Sequence, residues 1–358
     1  MRIGVPKETK NHEYRIGLTP SSVRQLVDLG HEIWVEADAA SAIGYNNDDF
    51  IQAGARIVDT DQAFSTPLVV KVKEPQLTEC KHLSAEQVLF CYLHLATAQP
   101  QANELLHRGV TAIAYETVTD ASGRLPLLAP MSEVAGRLSV QAGATALQVT
   151  NGGRGTLLGG VPGVAPAKVT ILGGGIAGTN AAQMAIGLHA EVTVIDQSTD
   201  RLRALAKEFS GRIKVLMATP DTIANSAFES DLIIGAVLVP GASTPKLIRR
   251  DQLRDMLPGA VLVDIAIDQG GTFESSRPTT HDTPTFIEDG IVHYCVTNMP
   301  GAVARTATQA LNNVTLPYVA RLAERGWRRA LSNDQGFAQG LNISAGEIRH
   351  PAVAEALA

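Results

Sequence analysis

The chain has 358 residues, 45% of them hydrophobic and 18% charged, with 30 Lys and Arg against 36 Asp and Glu for a net charge of −6. At roughly 150 residues per domain this suggests two domains or one large one, and the composition excludes disorder, a collagen-like repeat and a coiled coil. No basic excess points to nucleic acid or to an anionic membrane, and a charged share below the usual ~25% fits either a large core or an oligomer that hides surface.

Residues 2–5 read as a strand, after an N-terminus without the apolar run of a secretory signal. Thr19-Pro20 then opens a helix, with Thr as N-cap, Pro at the first helical position and Gly30 as the stop. Further strands are expected at 32–35, 68–72, 88–93 and 110–114. The runs Leu68-Val69-Val70 and Val88-Leu89-Phe90 are continuous rather than alternating, as in strands covered on both faces. Cys80, Cys91 and Cys295 are an odd count without a C-x-x-C pair, which fits a reduced, cytoplasmic protein better than a disulfide framework.

Pro126 and Pro130 bracket a break, and Val134, Leu138, Ala142, Thr145 and Val149 recur at helical spacing over 131–149, which suits a connecting helix. Residues 151–166 carry six glycines and read as an irregular connection, either a flexible surface loop or a binding segment. A second α/β series follows, with strands expected at 169–172, 191–195, 214–216, 231–235, 260–265 and 291–295. Residues 169–190 hold no Asp, Glu, Lys or Arg, but their five glycines speak for strand, turn and helix, not a membrane span. A long helix is expected over 303–325, and only short helical patches after Gly326. Strands separated by helices imply right-handed βαβ units. The expected fold is α/β, with two doubly wound, Rossmann-like domains of mostly parallel sheet. A nucleotide domain (129–303) is inserted into a substrate domain made of 1–128 and 304–358.

Gly173-Gly174-Gly175-Ile176-Ala177-Gly178 satisfies G-x-G-x-x-G and sits between a strand and an Ala-rich helix. Gly173 permits the tight turn, Gly175 lets backbone approach a pyrophosphate, and Gly178 lets helix and strand pack closely. The second strand ends in Asp196, 196 − 175 = 21 positions after the second motif glycine. Its carboxylate can accept both ribose hydroxyls and would repel a 2′-phosphate, which favours NAD over NADP. Arg201, five positions on, could soften that preference.

Ligands in parallel sheets bind beyond the carboxyl ends of strands. Lys73, His94, Asp268 and Asn298 stand at such ends, and Arg15 lies on the loop after the first strand. A cleft between the domains is expected to bring them together. An Arg fork and a Lys point charge suit a carboxylate, and His exchanges protons near neutrality. Asp268 could hydrogen-bond an ammonium, a carbinolamine hydroxyl or a water. Asn298 could fix a nicotinamide carboxamide. Each has a plainer reading: Lys71 and Lys73 as solvated strand-end cations, His94 as a core histidine, Asp264 and Asp268 as turn caps. Cys91-x-x-His94 has a metal-like spacing, but on a strand the two side chains face opposite ways, so no metal is expected.

The opening Met1-Arg-Ile-Gly-Val-Pro-Lys-Glu, running on to Arg15-Ile-Gly-Leu-Thr-Pro20, closely resembles that of alanine dehydrogenases. So do Lys71-Val-Lys-Glu-Pro75, Tyr92-Leu-His94-Leu-Ala96, Met131-Ser-Glu-Val-Ala-Gly-Arg137, Gly152-Gly-Arg-Gly155 and Leu158-Gly-Gly-Val-Pro-Gly163. Leu262-Val-Asp-Ile-Ala-Ile-Asp-Gln-Gly-Gly271, Ser276-Arg-Pro-Thr-Thr280 and Asn298-Met-Pro300 carry the likeness nearly to the end. The resemblance implies reversible, NAD-dependent oxidative deamination of L-alanine to pyruvate and ammonium, with hydride passing from Cα to nicotinamide C4. It implies that Arg15 and Lys73 hold the substrate, that His94 is the acid/base and that Asp268 assists at the amine and carbinolamine. It implies further that Asp196 binds the adenosine ribose, that Asn298 and Met299 lie beside the nicotinamide, and that Ser132 touches the cofactor. Members are usually homohexamers. Two places depart from the pattern. Met217–Pro220 stands where relatives often carry serines near the adenine, and His189 stands where Gly is usual. The nucleotide-binding subunit of transhydrogenase and the saccharopine dehydrogenases are the rival relatives.

Overall fold

A computed structural model describes residues 1–237 and 244–357. The chain divides into two compact units, Met1–Met131 with Val303–Ala358, and Ser132–Ala302. Neither join lies in a loop. The first falls inside helix Ala129–Ala146 and the second inside the 3-10 segment Met299–Val303.

The first unit contains β1 (Arg2–Val5), β2 (Glu32–Glu36), β3 (Arg56–Val58), β4 (Leu68–Val70), β5 (Val88–Cys91) and β6 (Thr111–Ala114). They pair in the order β3-β2-β1-β4-β5-β6, all parallel. This is the doubly wound order, and it reverses between β1 and β4. β4, β5 and β6 are buried along their whole length, which accounts for their unbroken apolar runs. Helix Pro20–Asp28 starts as its residues demand: the Thr19 hydroxyl accepts the Ser22 N–H, and Pro20 needs no donor there.

The second unit repeats the plan with β7 (Lys168–Leu172), β8 (Glu191–Asp196), β9 (Lys214–Met217), β10 (Leu232–Gly235), β11 (Val261–Asp264), β12 (Thr285–Glu288) and β13 (Ile291–Tyr294). The order is β9-β8-β7-β10-β11-β13-β12, with only β12 antiparallel. Helix Ile176–Gly187 packs Ala181, Ala182 and Ala185 onto Val169, Ile171 and Val194 of the sheet. His189 follows that helix at φ 63, the left-handed conformation that favours glycine.

Helix Ala304–Arg325 belongs to the first unit, and the tail departs from expectation. It holds short helices but also a hairpin, β14 (Leu341–Ser344) and β15 (Glu347–Ile348), with β14 antiparallel to β6. The two-residue turn has Ala345 at φ 54 and Gly346 at φ 73, the doubly positive geometry of a type I′ turn. Ala replaces the Asn or Asp that would announce such a turn. β3 and β12 were likewise not expected from the sequence: they are short and half-exposed edge strands with little apolar pattern. The strands expected at 68–72 and 88–93 end early, at Val70 and Cys91. The connecting helix expected to reach 149 ends at Ala146, and the Gly153 and Gly155 N–H groups return to the carbonyls of Gln148 and Leu147.

His293, fully buried on β13, has a defined protonation state. Nδ1–H donates to the Ile291 carbonyl at 3.0 Å, and Nε2 accepts the Ser275 hydroxyl at 2.7 Å. The ring stacks on Phe286 at 4.7 Å. Burial, helped by the positive charges of Arg250 and Arg277, lowers its pKa to about 4. A folded-state pKa below the unfolded ~6.5 adds stability that is present above pH 6.5 and lost as pH falls toward 4, up to roughly 3 kcal/mol. Denaturant unfolding at stepped pH should show this loss, and His293→Gln should flatten it; an unchanged slope would assign the loss to other groups.

Candidate active site

In the first unit the site grows from the reversal between β1 and β4, where loops leaving two adjacent strand ends diverge. Arg15, on the loop after β1, is only 2% exposed. Its Nε and one terminal nitrogen donate to the two oxygens of Glu13 at 2.7 and 2.5 Å, and its backbone N–H adds a bond at 3.0 Å. The other terminal nitrogen lies 3.0 Å from the Met131 sulfur. A bidentate fork of this kind fixes the guanidinium plane and balances its charge.

Lys71 and Lys73 follow β4 and are both buried, so neither is the solvated strand-end cation that the plainer reading allowed. Lys71 donates to Glu8 at 3.0 Å and to Glu79 at 2.9 Å. Burial opposes its charge, yet the two carboxylates outweigh burial and hold the ammonium above its usual range. Burial pushes the Glu8 carboxyl up to about 7 against the pull of Lys71. Glu8 also accepts the Val72 N–H at 2.6 Å, supplying the acceptor that the shortened β4 no longer finds in a ladder. Glu74 is buried and ion-paired with Lys10. Burial would raise its carboxyl, but Lys73, Lys10 and His94 together hold it below the usual range.

His94, beyond β5, is half-buried and has φ 49. A non-glycine residue in that region stores strain, which the surroundings must hold. Glu116 does so by accepting the His94 N–H at 2.6 Å and the Leu93 N–H at 3.2 Å. The imidazole lies parallel to the Tyr92 ring at 5.8 Å, and the Tyr92 hydroxyl is anchored on the Leu127 carbonyl at 2.6 Å. The unit thus brings Arg15, Lys73 and His94 to the carboxyl ends of three neighbouring strands. Two cations and a titratable ring suit a carboxylate that must also exchange a proton.

In the second unit the glycine loop follows β7, beside the end of β10, again where the order reverses. Gly173 has φ 97, and a Cβ on Gly178 would stand 1.8 Å from the Gly173 carbonyl oxygen, so helix and turn touch through backbone. Helix Ile176–Gly187 begins at Gly175 without a side-chain cap, and nothing lies within 4 Å of where a Gly175 Cβ would be. Uncapped N–H groups behind an open glycine face fit a pyrophosphate. Asp196 closes β8 and accepts the Gly174 N–H at 2.7 Å and the Ser198 N–H at 2.8 Å. Each oxygen keeps acceptor capacity for a ribose hydroxyl. Arg201 turns inward, donating to the Gly174 carbonyl and the Thr179 hydroxyl, so it braces the glycine loop. The residues fit a dinucleotide.

Asp264, at the end of β11, is fully buried. It accepts the Ala266 and Thr272 N–H groups at 3.1 and 2.7 Å and the Ser276 hydroxyl at 2.5 Å. The turn-capping reading holds for Asp264. Asp268 is different: it is exposed on the 3-10 turn Ile267–Gln269. Asn298 has φ 59, and its carbonyl accepts the Gly301 N–H at 2.9 Å. Met299 is buried beside it, and Ser132 lies half-buried near the start of helix Ala129–Ala146. Among the described residues no group of His, Cys, Asp and Glu could hold a metal ion. Glu8, Glu13, Glu79 and Glu116 were missed from sequence. Only Glu13 left a trace there, two positions from Arg15, a spacing common to any extended pair.

The family model "Alanine dehydrogenase/PNT, N-terminal domain" matches residues 4–135, and "Alanine dehydrogenase/PNT, C-terminal domain" matches 139–351. The alanine dehydrogenase of Halomonas elongata is 58% identical, over 99% of this chain and 96% of its own. That of Mycolicibacterium smegmatis is 52% identical, over 100% and 97%. A solved L-alanine dehydrogenase superposes with a TM-score of 0.97 at 51% identity, covering 99% of both chains. A transhydrogenase from Sinorhizobium meliloti shares the fold, with a TM-score of 0.82 at 22% identity. With both family domains matched in order and more than half of the residues shared end to end, the chain belongs to the alanine dehydrogenase/PNT family.

Proposed function

We propose that the protein catalyses the reversible, NAD-dependent oxidative deamination of L-alanine to pyruvate and ammonium. The observation that carries this reading is the buried pair of cations, Arg15 and Lys73, at the reversal point of the first sheet, with a strained His94 beyond the neighbouring strand β5. The names of the relatives that it resembles supply the substrate.

Arg15, its plane set by Glu13, holds the alanine carboxylate, and Lys73 supplies a point charge for the carboxylate and the developing keto oxygen. NAD, held by the glycine loop and Asp196, would supply the acceptor for the hydride that leaves the alanine Cα. His94 accepts a proton as water adds to the imine carbon and returns one to the nitrogen as ammonia leaves. Asp268 accepts hydrogen bonds from the ammonium and from the carbinolamine hydroxyl. The glycine loop and the N-terminus of helix Ile176–Gly187 hold the pyrophosphate, Asp196 the adenosine ribose, and Asn298 with Met299 the nicotinamide end. Ser132 adds a hydroxyl contact, and Arg201 serves the cofactor by bracing the loop.

The protein acts as a homo-oligomer, a hexamer by its resemblance; exposed Val149, Leu157, Val161 and Val164 offer apolar surface for such contacts. We place it in the cytoplasm, in keeping with three buried, unbridged cysteines. Among the described residues no helix is long and apolar enough to cross a membrane.

The purified chain should form NADH with L-alanine and consume it with pyruvate plus ammonium. Asp268→Ala should cut turnover roughly 10²–10⁴-fold, the range for lost acid–base assistance, while NADH affinity stays within about threefold. Hydride passed to a second nucleotide, with no response to any amino acid, would overturn the reading in favour of a transhydrogenase. Asp196→Ala should raise the KM for NAD roughly 10- to 100-fold, the worth of a charged hydrogen bond, with kcat little changed. It should also narrow the gap to NADP. An unchanged KM in initial-rate assays would remove Asp196 from the cofactor site.

A further inference from the structure

The loop that carries Asp268 is held by opposite charges on its two sides. Its N–H groups at Ala266 and Thr272 point to the buried carboxylate of Asp264. Its carbonyls point the other way. Gly270 and Gly271 have φ 92 and 82, a conformation that glycine adopts freely, and their two carbonyls meet at one point. The ammonium of Lys246 sits at that point and donates to the carbonyls of Gly270, of Gly271 at 2.8 Å and of Phe273 at 3.3 Å. Three acceptors meet a group with three donors. The segment around Lys246 runs beside the same loop. Thr244 N–H donates to the Gln269 carbonyl at 3.0 Å and Leu247 N–H to the Thr272 carbonyl at 2.8 Å, and Ile248 bridges Phe273 in parallel.

We infer that Lys246 is a positioning residue: it fixes the Asp268 carboxylate for catalysis by neutralising three convergent carbonyls just beyond it. Asp268 lies on a single exposed 3-10 turn, so the backbone that follows largely decides where its carboxylate points. Without the cation the three oxygens repel one another, and the two glycines, having no side chain to restrain their backbone, let the turn relax. A compact ammonium fits this cradle, whereas the planar guanidinium of Arg has the charge and the wrong shape. The inference rests on the catalytic reading of Asp268.

The test is a double-mutant cycle in alanine oxidation, using the full-length protein. Lys246→Met keeps the apolar stem and removes only the ammonium. It should lower kcat roughly 10- to 100-fold, the cost of a misplaced catalytic group, with NADH affinity within about twofold. In an Asp268→Ala background the same change should lower kcat less than about twofold, because there is no carboxylate left to misplace. Methylammonium should restore part of the kcat of Lys246→Ala, a variant that vacates the ammonium's place, and should not restore Asp268→Ala. Equal losses in both backgrounds, or a Lys246→Met enzyme with full kcat, would overturn the inference and leave the catalytic reading intact. A fully active Asp268→Ala would sink both, and that single variant tells the two failures apart.

Discussion

Each sheet depends on one constraint, the parallel pairing of two strands that are not consecutive in the chain. β1 lies against β4, and β7 against β10. Connections from such a pair must leave in opposite directions, and right-handed crossovers then place helices on both faces. What remains at the carboxyl ends is a gap that no helix can fill. In the first unit it receives the Glu13–Arg15 loop and the Lys71–Lys73 segment. In the second it receives the glycine loop. The polar residues of both units are therefore delivered by topology before any side-chain preference acts.

Burying cations in the first unit creates an electrostatic problem that the fold solves locally. Arg15 is matched by Glu13 and Lys71 by Glu8 and Glu79, while the buried Glu74 is matched by the more exposed Lys10. A buried charge without such a partner costs several kcal/mol, so these carboxylates are conditions for the basic groups being there at all. The two lysines lie beyond the end of β4 and have different surroundings: Lys71 meets its pair of carboxylates, and Lys73 acts with His94 on Glu74.

Much of this was legible in the residues. The unbroken apolar runs of β4 and β5 predicted strands covered on both faces. The glycine loop followed by Asp196 predicted a dinucleotide turn, because each residue there answers a steric or electrostatic demand that is local in sequence. The helix at Pro20 was announced by its own cap. Long-range partners were not legible: Glu8, Glu79 and Glu116 meet their partners only after the sheet forms, and Glu is too common at surfaces to stand out. A solvated Lys71 stayed open as the plainer reading for the same reason. The inward turn of Arg201 toward Thr179 was hidden, since five residues of spacing do not reveal which way a long side chain folds. The β14–β15 hairpin escaped because Ala345 occupies a position that sequence patterns reserve for Asn or Gly.

That hairpin has a bearing on solubility. β6 is buried along all four residues, and β14 takes up the hydrogen-bonding row along its outer side. The two-residue β15 then finishes the sheet, too brief to template a neighbour. Shorn of residues 341–348, the molecule would present a naked, greasy border to any extended polypeptide nearby, and copies of it could zip together. The C-terminal segment thus serves as a selvedge, the stitched border that keeps a woven cloth from unravelling into its neighbours.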